Sequence, residues 1–305
     1  MGPLVMSAVA FRVPDACADA DLWDLFRSAI HRGEPGGPSR VCVADSKTVF
    51  KRSAGVGSIE RHLLPFVALL GELPETLRDF VNRFGMADAD AFSSYPWYNG
   101  VDSALPRDIG HEAVKAQSKA LEACFASAKS AFCSVNFEVL DVAAFNREIA
   151  DCNNKAVALS RCLARLMKKL RQEFAGETIR LTVDKQGGRN YYHNFLAATF
   201  PFNNIKVHVE SAEASHYTIM DGDSELAVTF RAKGDRQCLP TALASMFSKY
   251  VRELFLERLN AYWMQRIPDL KPTAGYTTDG RRFLSEIEAV RQAENIPLDL
   301  LVRCR

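Results

Sequence analysis

Apolar and polar residues alternate along residues 179–184 (IRLTVD), which predicts a strand with one strongly apolar face. The strand ends at Asp184, and the pair Gly187-Gly188 comes within four residues of it. An aspartate at the end of a buried strand, beside backbone that a ligand can approach, is a common way to build a metal or phosphate site. The alternative is an aspartate that only hydrogen-bonds the following turn.

The pattern predicts further strands and helices on both sides of this segment. Residues 4–13 (LVMSAVAFRV) are almost continuously apolar, which is typical of a strand covered on both faces. Alternation predicts strands at 133–139, 205–209, 217–220 and 226–230, and helical spacing predicts helices at 19–30, 75–84, 146–174, 243–254 and 281–290. With 305 residues, the chain can form one elaborated α/β domain or two smaller ones.

Composition narrows the class of protein. The formal net charge is +1, so any affinity for nucleic acid must come from a local basic patch. The eight cysteines are scattered, with no CxxC pair and no zinc-like spacing, as expected of thiols in a reducing compartment. No basic segment precedes the first apolar run, and no stretch is long and apolar enough to span a membrane. We therefore expect a cytoplasmic protein without a membrane partner.

Three segments have both a functional and a structural interpretation. The aromatic residues 95–98 (YPWY) could stack on bases, although packing within their own segment is the simpler interpretation. Gly55 and Gly57 could cradle a phosphate, but without a preceding strand they favour a simple helix start. Asp221 and Asp223 could belong to a metal-binding loop, whereas their spacing between two strands favours a hairpin turn.

Two motifs combine acidic, hydroxyl and basic side chains. Residues 45–47 read DSK and come after a short apolar run. Residues 244–253 (ASMFSKYVRE) lie on the helix predicted at 243–254. Lys249 and Glu253 stand four residues apart on that helix, which by itself indicates only a surface ion pair.

These two motifs belong to a set that follows a defined order along the chain. The other members are Asp184, a KGD sequence at 233–235 and a GY sequence at 275–276. The set resembles type 2 ribonuclease H, the bacterial ribonuclease HII family, whose motifs include Asp-Ser-Lys, Ala-Ser-x-x-Ala-Lys-x-x-Arg-Asp and Gly-Tyr. Glu253 stands where the family usually has aspartate. The resemblance covers most of the chain, but residues 14–40 and 73–116 look like insertions.

The resemblance implies one α/β domain over residues 1–305. It would have a ribonuclease-H-like mixed sheet flanked by helices and a helical C-terminal segment at 240–305. It also implies a metal-dependent endonuclease that hydrolyses the RNA strand of RNA–DNA hybrids, or cuts duplexes with embedded ribonucleotides, as a monomer with Mg²⁺ or Mn²⁺. Asp184 and Glu253 would be the catalytic residues and metal ligands. The substrate-binding residues would be Asp45, Ser46, Lys47, Lys249, Arg252 and Tyr276, with Lys168 and Lys169 as further candidates for a basic patch beside the metal.

The chain departs from the family at one important point. The family opens with a strand ending Asp-Glu-Ala-Gly-x-Gly, which supplies two of its four metal-binding carboxylates and forms the middle of its sheet. Here residues 2–5 (GPLV) resemble the family's residues just after that motif, and the motif itself is not in the sequence. We therefore expect residues 4–13 and 179–184 to lack a shared neighbour, and the chain to be poorly stable, prone to association and inactive. The alternative is a non-catalytic relative that binds nucleic acid or a protein partner.

Overall fold

The computed structural model describes residues 1–33, 40–100, 102–222 and 224–304. The strands in these ranges are β1 (Leu4–Arg12), β2 (Ile30–His31), β3 (Val41–Cys42), β4 (Ala131–Leu140), β5 (Ile179–Asp184), β6 (Asn204–Glu210), β7 (Ala214–Asp221) and β8 (Ser224–Arg231). The helices are α1 (Leu22–Leu25), α2 (Ser46–Val49), α3 (Gly57–Val67), α4 (Leu77–Phe84), α5 (His111–Ser127), α6 (Val142–Cys152), α7 (Lys155–Glu173), α8 (His193–Thr199), α9 (Leu239–Met264) and α10 (Thr277–Ala293).

In the described part of the chain the strands form three separate sheets. The largest has the order β5-β8-β7-β6, in which β5 is parallel to β8 and the other neighbours are antiparallel. β1 pairs with β4 in antiparallel register, with Leu4 opposite Leu140, and β2 pairs with β3 in parallel. Mixed sheets flanked by helices confirm the α/β class.

The alternation along β5 has the predicted effect. Ile179, Leu181 and Val183 pack on a buried cluster that includes Phe230 of β8 and Met167 of α7. The apolar face of β5 therefore points toward α7. This burial fixes which face Asp184 and the other polar residues of the strand occupy.

Helix α9 contacts both β1 and β5. The hydroxyl oxygens of Ser248 and Ser7 are 2.9 Å apart, and Thr241 Oγ1 donates to the Thr182 carbonyl at 3.2 Å. Met246, like many α9 side chains, is fully buried. α9 therefore connects the two main sheets, which share no hydrogen-bonded strand pair among the described residues.

Two helix predictions need correction. The segment 19–30 contains only the four-residue α1, because Ile30 already pairs in β2. The segment 146–174 is two helices, because Asn153 ends α6 in the left-handed conformation with a φ of 46°. Asn154 then begins α7, since its side chain accepts a hydrogen bond from the Ala156 amide at 2.9 Å.

The three ambiguous segments turn out to be structural. Tyr95 and Trp97 are each 2% exposed and pack against α9, so these rings are not stacking platforms. Gly57 begins α3, in agreement with a helix start. Asp221 pairs with Ser224 across the β7–β8 turn, which confirms the hairpin, whereas Asp223 lies outside the described residues. Every described helix is too short or too polar to cross a membrane.

Glu60 is a fully buried carboxylate that joins three parts of the fold. Its Oε1 accepts from the Tyr250 hydroxyl at 2.7 Å, and its Oε2 accepts from the backbone amides of Arg107 at 2.8 Å and Asp108 at 2.9 Å. Buried donors that lose their acceptor are costly. Glu60 therefore holds the segment around 107–108 against α3 and α9.

We predict that Glu60→Ala lowers the free energy of unfolding by about 2–5 kcal/mol, because it leaves the buried Tyr250 hydroxyl and two partly buried amides without their acceptor. Glu112→Ala is the control, since Glu112 is 89% exposed and pairs with Lys115; we expect a change of at most about 0.5 kcal/mol. Urea unfolding followed by circular dichroism measures both. Equal losses in the two variants would contradict the role given to Glu60.

Candidate functional site

Asp184 lies at the exposed end of β5. Its Oδ1 accepts a hydrogen bond from the Gly234 amide at 2.7 Å. A Cβ atom at position 234 would lie 3.4 Å from the Asp184 Cα atom, so this turn packs closely against the end of β5. The preceding residue, Lys233, has a φ of 55° and turns the chain toward α9. Asp184 is thus bound to the turn that leads into α9.

Two further aspartates lie close to Asp184. The pKa of Asp235 is raised, first by its burial and then by the negative charges of Asp184 and Asp45, while Arg236 and Lys47 act in the opposite direction. Asp45 caps α2 by accepting from the Lys47 amide at 3.0 Å, and it forms an ion pair with Arg236 at 3.3 Å. The carboxylates of Asp184, Asp235 and Asp45 therefore lie near the end of β5. The basic side chains of Arg236 and Lys47 lie beside them.

This arrangement suits a hard divalent cation in the type of its ligands but not in their number. Mg²⁺ and Mn²⁺ prefer carboxylate oxygens, and each takes about six ligands. Asp45 is already engaged as a helix cap, which leaves Asp184 and Asp235 as candidate ligands. Among the described residues, no group of three or more histidine, cysteine, aspartate or glutamate side chains is arranged to hold a metal ion. Asp184 and Asp235 alone therefore offer too few side-chain ligands for a complete metal site.

Glu253 has a different environment. Its Oε1 accepts from Lys249 Nζ and from Arg252 Nη1, each at 2.7 Å, and its side chain is 13% exposed. Arg252 also donates to the Ala274 carbonyl at 2.9 Å and lies 5.0 Å from the centre of the Tyr276 ring. Glu253 therefore orients two basic side chains beside an exposed tyrosine.

The structure does not bring Glu253 to Asp184. Thr241 touches β5 two residues before Asp184, whereas Glu253 is twelve residues further along the same helix, a distance of about 18 Å at the usual helical rise. The two side chains are thus too far apart to share one ion, contrary to the expectation from the sequence. The carboxylate that does lie beside Asp184 is Asp235, from the KGD sequence just before α9.

The predicted basic residues fall into two groups near α9. Lys47 lies beside Asp235, and Lys249 and Arg252 surround Glu253. Ser46, on α2, has its hydroxyl 3.2 Å from that of Ser245 and so attaches α2 to the stretch of α9 between these groups.

Lys168 and Lys169 are not part of this surface. They are exposed on α7, which packs on the cluster that contains Met6 of β1. Ser7, the next residue of β1, contacts α9 instead. Because successive residues of a strand point to opposite faces, α7 and α9 lie on opposite faces of the sheet.

The candidate site thus consists of the aspartates at the end of β5 and the basic residues and Tyr276 around α9. No protein-family model, no curated protein and no solved structure matches the chain. Its chemistry is therefore inferred from these side chains.

We predict that one Mn²⁺ ion binds weakly at the end of β5. Asp184→Asn or Asp235→Asn should each weaken this binding at least about tenfold, because each removes a charged oxygen ligand. Glu253→Gln is the matched control and should change the affinity by less than about twofold, since it is remote from the ion. Titration calorimetry without nucleic acid measures all four proteins. A larger loss in Glu253→Gln than in Asp184→Asn would contradict this assignment.

Asp279 fixes the loop that carries Tyr276. It accepts from the Ala274 amide at 2.6 Å, the Thr273 hydroxyl at 2.8 Å and Arg282 at 2.8 Å. Burial acts to raise the pKa of Asp279, but these hydrogen bonds and the Arg282 charge outweigh it and lower the pKa from 3.8 to about 2. The folded protein thus favours the ionised carboxylate.

The direction of this pKa shift predicts how the free energy of unfolding depends on pH. Because the folded pKa lies below the ordinary value of 3.8, the stabilisation is complete above that pH and is lost as the pH falls toward about 2. Asp279→Asn should therefore lower the free energy of unfolding at pH 7, with the difference from the unmodified protein shrinking between pH 4 and 2. Asp299→Asn, at an exposed position, is the control. A pH-independent difference for Asp279→Asn would be inconsistent with this account.

Proposed function

We propose that the protein is a divergent relative of the ribonuclease HII endonucleases, which hydrolyse the RNA strand of RNA–DNA hybrids, and that Asp184 and Asp235 form an incomplete metal site. The supporting observation is that the turn at Gly234, which leads into Asp235, binds Asp184, while Arg236 of the same turn pairs with Asp45. Burial, and then the negative charges of Asp184 and Asp45, raise the pKa of Asp235, and a bound cation would relieve this repulsion. The basic residues and the exposed tyrosine around α9 add a surface for a phosphate backbone.

Asp184 and Asp235 would hold Mg²⁺ or Mn²⁺ through their carboxylate oxygens. When bound, such an ion polarises a phosphodiester and makes water a better nucleophile. Two aspartates supply too few ligands for this chemistry, since each ion needs about six. We therefore propose that residues 1–305 bind a hybrid without cleaving it.

The basic residues of this chain would bind the nucleic-acid backbone. Lys47, Lys249 and Arg252 can each contact a phosphate, and Glu253 keeps the latter two in place through its 2.7 Å contacts. Tyr276 is 61% exposed beside Arg252, so its ring can pack against a sugar where the 2′-hydroxyl distinguishes RNA from DNA.

A nucleic-acid-binding protein that uses no metal ion is the second candidate function. It is favoured by the same incomplete set of ligands, since no group of three or more candidate ligands is arranged for a metal among the described residues. The two candidates share hybrid binding and differ in metal dependence. In the first, Mn²⁺ strengthens hybrid binding through Asp184 and Asp235; in the second, it has no such effect.

We predict that a fluorescent RNA–DNA hybrid of about 16 base pairs binds with an affinity that falls as salt rises. Lys249→Ala and Arg252→Ala should each reduce the log–log salt slope by about one, because each removes one phosphate contact. Lys168→Ala is the matched control on the opposite face and should leave the slope unchanged. Fluorescence anisotropy between 50 and 300 mM salt, about the range where counterion release dominates, measures these slopes.

Salt-independent binding, or an equal effect of Lys168→Ala and Lys249→Ala, would contradict the proposed surface. RNA cleavage by residues 1–305 with Mn²⁺, abolished by Asp184→Asn, would instead show that the metal site is more complete than proposed. Weaker binding to duplex DNA of the same sequence is expected if Tyr276 packs at the 2′-hydroxyl.

A further inference from the structure

The segment after α10 carries an arginine that the structure holds in place without giving it an anionic partner. Asn146 of α6 fixes the backbone on both sides of Arg303, since its Nδ2 donates to the Val302 carbonyl at 2.9 Å and its Oδ1 accepts from the Cys304 amide at 2.7 Å. The Arg303 side chain is partly buried, and its guanidinium carbon lies 5.4 Å from the centre of the Phe145 ring. None of the described residues gives this guanidinium a hydrogen bond or an ion pair.

Arg252 lies near Arg303, against the loop that leads into α10. Its Nη2 would be only 3.1 Å from a Cβ atom at Gly275. Both arginines lie near the Met1 nitrogen, which donates to the Gly275 carbonyl at 3.0 Å. The exposed ring of Tyr276 is centred 5.0 Å from the Arg252 guanidinium carbon and also lies near Arg303. The two guanidiniums therefore share one part of the surface, beside Gly275 and Tyr276.

Positive charge exceeds negative charge on this part of the surface. Arg252 and Lys249 share one carboxylate, that of Glu253, through contacts of 2.7 Å. Burial, and then the positive charge of Arg252, lower the pKa of Arg303, and no described carboxylate is among the groups that shift this pKa. Three cations and one carboxylate leave an excess of two positive charges. Because a guanidinium does not lose its proton in a protein, this excess persists until an anion binds.

We propose that Arg303 and Arg252 form a binding site for a phosphate monoester group. Such a group carries close to two negative charges at neutral pH, which matches the excess, whereas the diester of a nucleic-acid backbone carries one. Its oxygens accept the paired N–H groups of a guanidinium. Asp279, in the adjoining loop, is paired with Arg282 at 2.8 Å and does not supply the missing charge.

This site goes beyond the proposed function, because Arg303 is assigned to a monoester and not to the backbone of a hybrid. Arg252 is shared with the proposed hybrid-binding surface, but a monoester binds to it whether or not a hybrid does. The same chemical group occurs at the end of a nucleic-acid strand and in small phosphorylated molecules. The two sources differ in whether the rest of a strand adds to the affinity, and this difference is measurable.

Adenosine 5′-monophosphate and adenosine 3′,5′-cyclic monophosphate are matched probes, since they share base and sugar but carry a monoester and a diester. Titration calorimetry of the whole chain, without metal, should give an affinity for the monoester at least about tenfold higher. This preference should shrink as the pH falls from about 7.5 to about 5.5, because the monoester takes up a proton near pH 6 and becomes a monoanion.

A pair of protein variants tests the position of the site. Arg303→Gln should weaken binding of the monoester at least about tenfold, because it removes one guanidinium. Arg291→Gln is the matched control: this arginine lies about 22 Å along α10 from Tyr276 and pairs with Glu288, so the affinity should change by less than about twofold. If Arg303→Gln does not fold, the two nucleotides on the unmodified protein decide the question.

A hybrid with a 5′-phosphate identifies the source of the monoester. Binding that is tighter than for the same hybrid with a 5′-hydroxyl, and that depends on Arg303, assigns the site to a strand end. Equal binding of the two hybrids, with binding of adenosine 5′-monophosphate retained, assigns it to small phosphorylated molecules.

Two results would overturn the proposal. Equal affinities for the two nucleotides would show that the site does not select a monoester. A loss of binding in Arg291→Gln as large as that in Arg303→Gln would show that the monoester does not bind at Arg303. Absence of hybrid binding, with nucleotide binding intact, would contradict only the proposed function, so the two failures are distinguishable.

Discussion

The fold depends on α9, because this helix connects two sheets that share no hydrogen-bonded strand pair in the described residues. It touches β5 through Thr241 and β1 through Ser248, and its core residues, such as Met246, are fully buried. The apolar packing of a helix is non-directional, whereas the hydrogen bonds of a strand ladder set the distance and register of the two strands. The relative position of β1 and β5 therefore rests mainly on side-chain packing, which is the weaker constraint on geometry.

The same helix separates the two parts of the candidate site. Its start leads out of the turn that holds Asp184 and Asp235, and its middle carries the basic residues around Glu253. A helix that rises 1.5 Å per residue acts as a spacer, so the acidic and basic parts lie about 18 Å apart. A ligand that engages both must be extended, with negative charge beside Lys249 and Arg252 and positive charge beside the aspartates.

The sequence predicts the parts of this site that depend on local pattern. Alternation over 179–184 is enough to locate β5 and its terminal Asp184, because the period-two pattern of apolar residues identifies a strand and its buried face. Helical spacing correctly predicts that Lys249 and Glu253 interact, but it contains no information on their distance from another strand. The pattern does not reveal Asp235 as a partner, because its proximity to Asp184 depends on the turn at Gly234, a tertiary contact. Nor does it reveal the break at Asn153, which depends on one residue in a left-handed conformation.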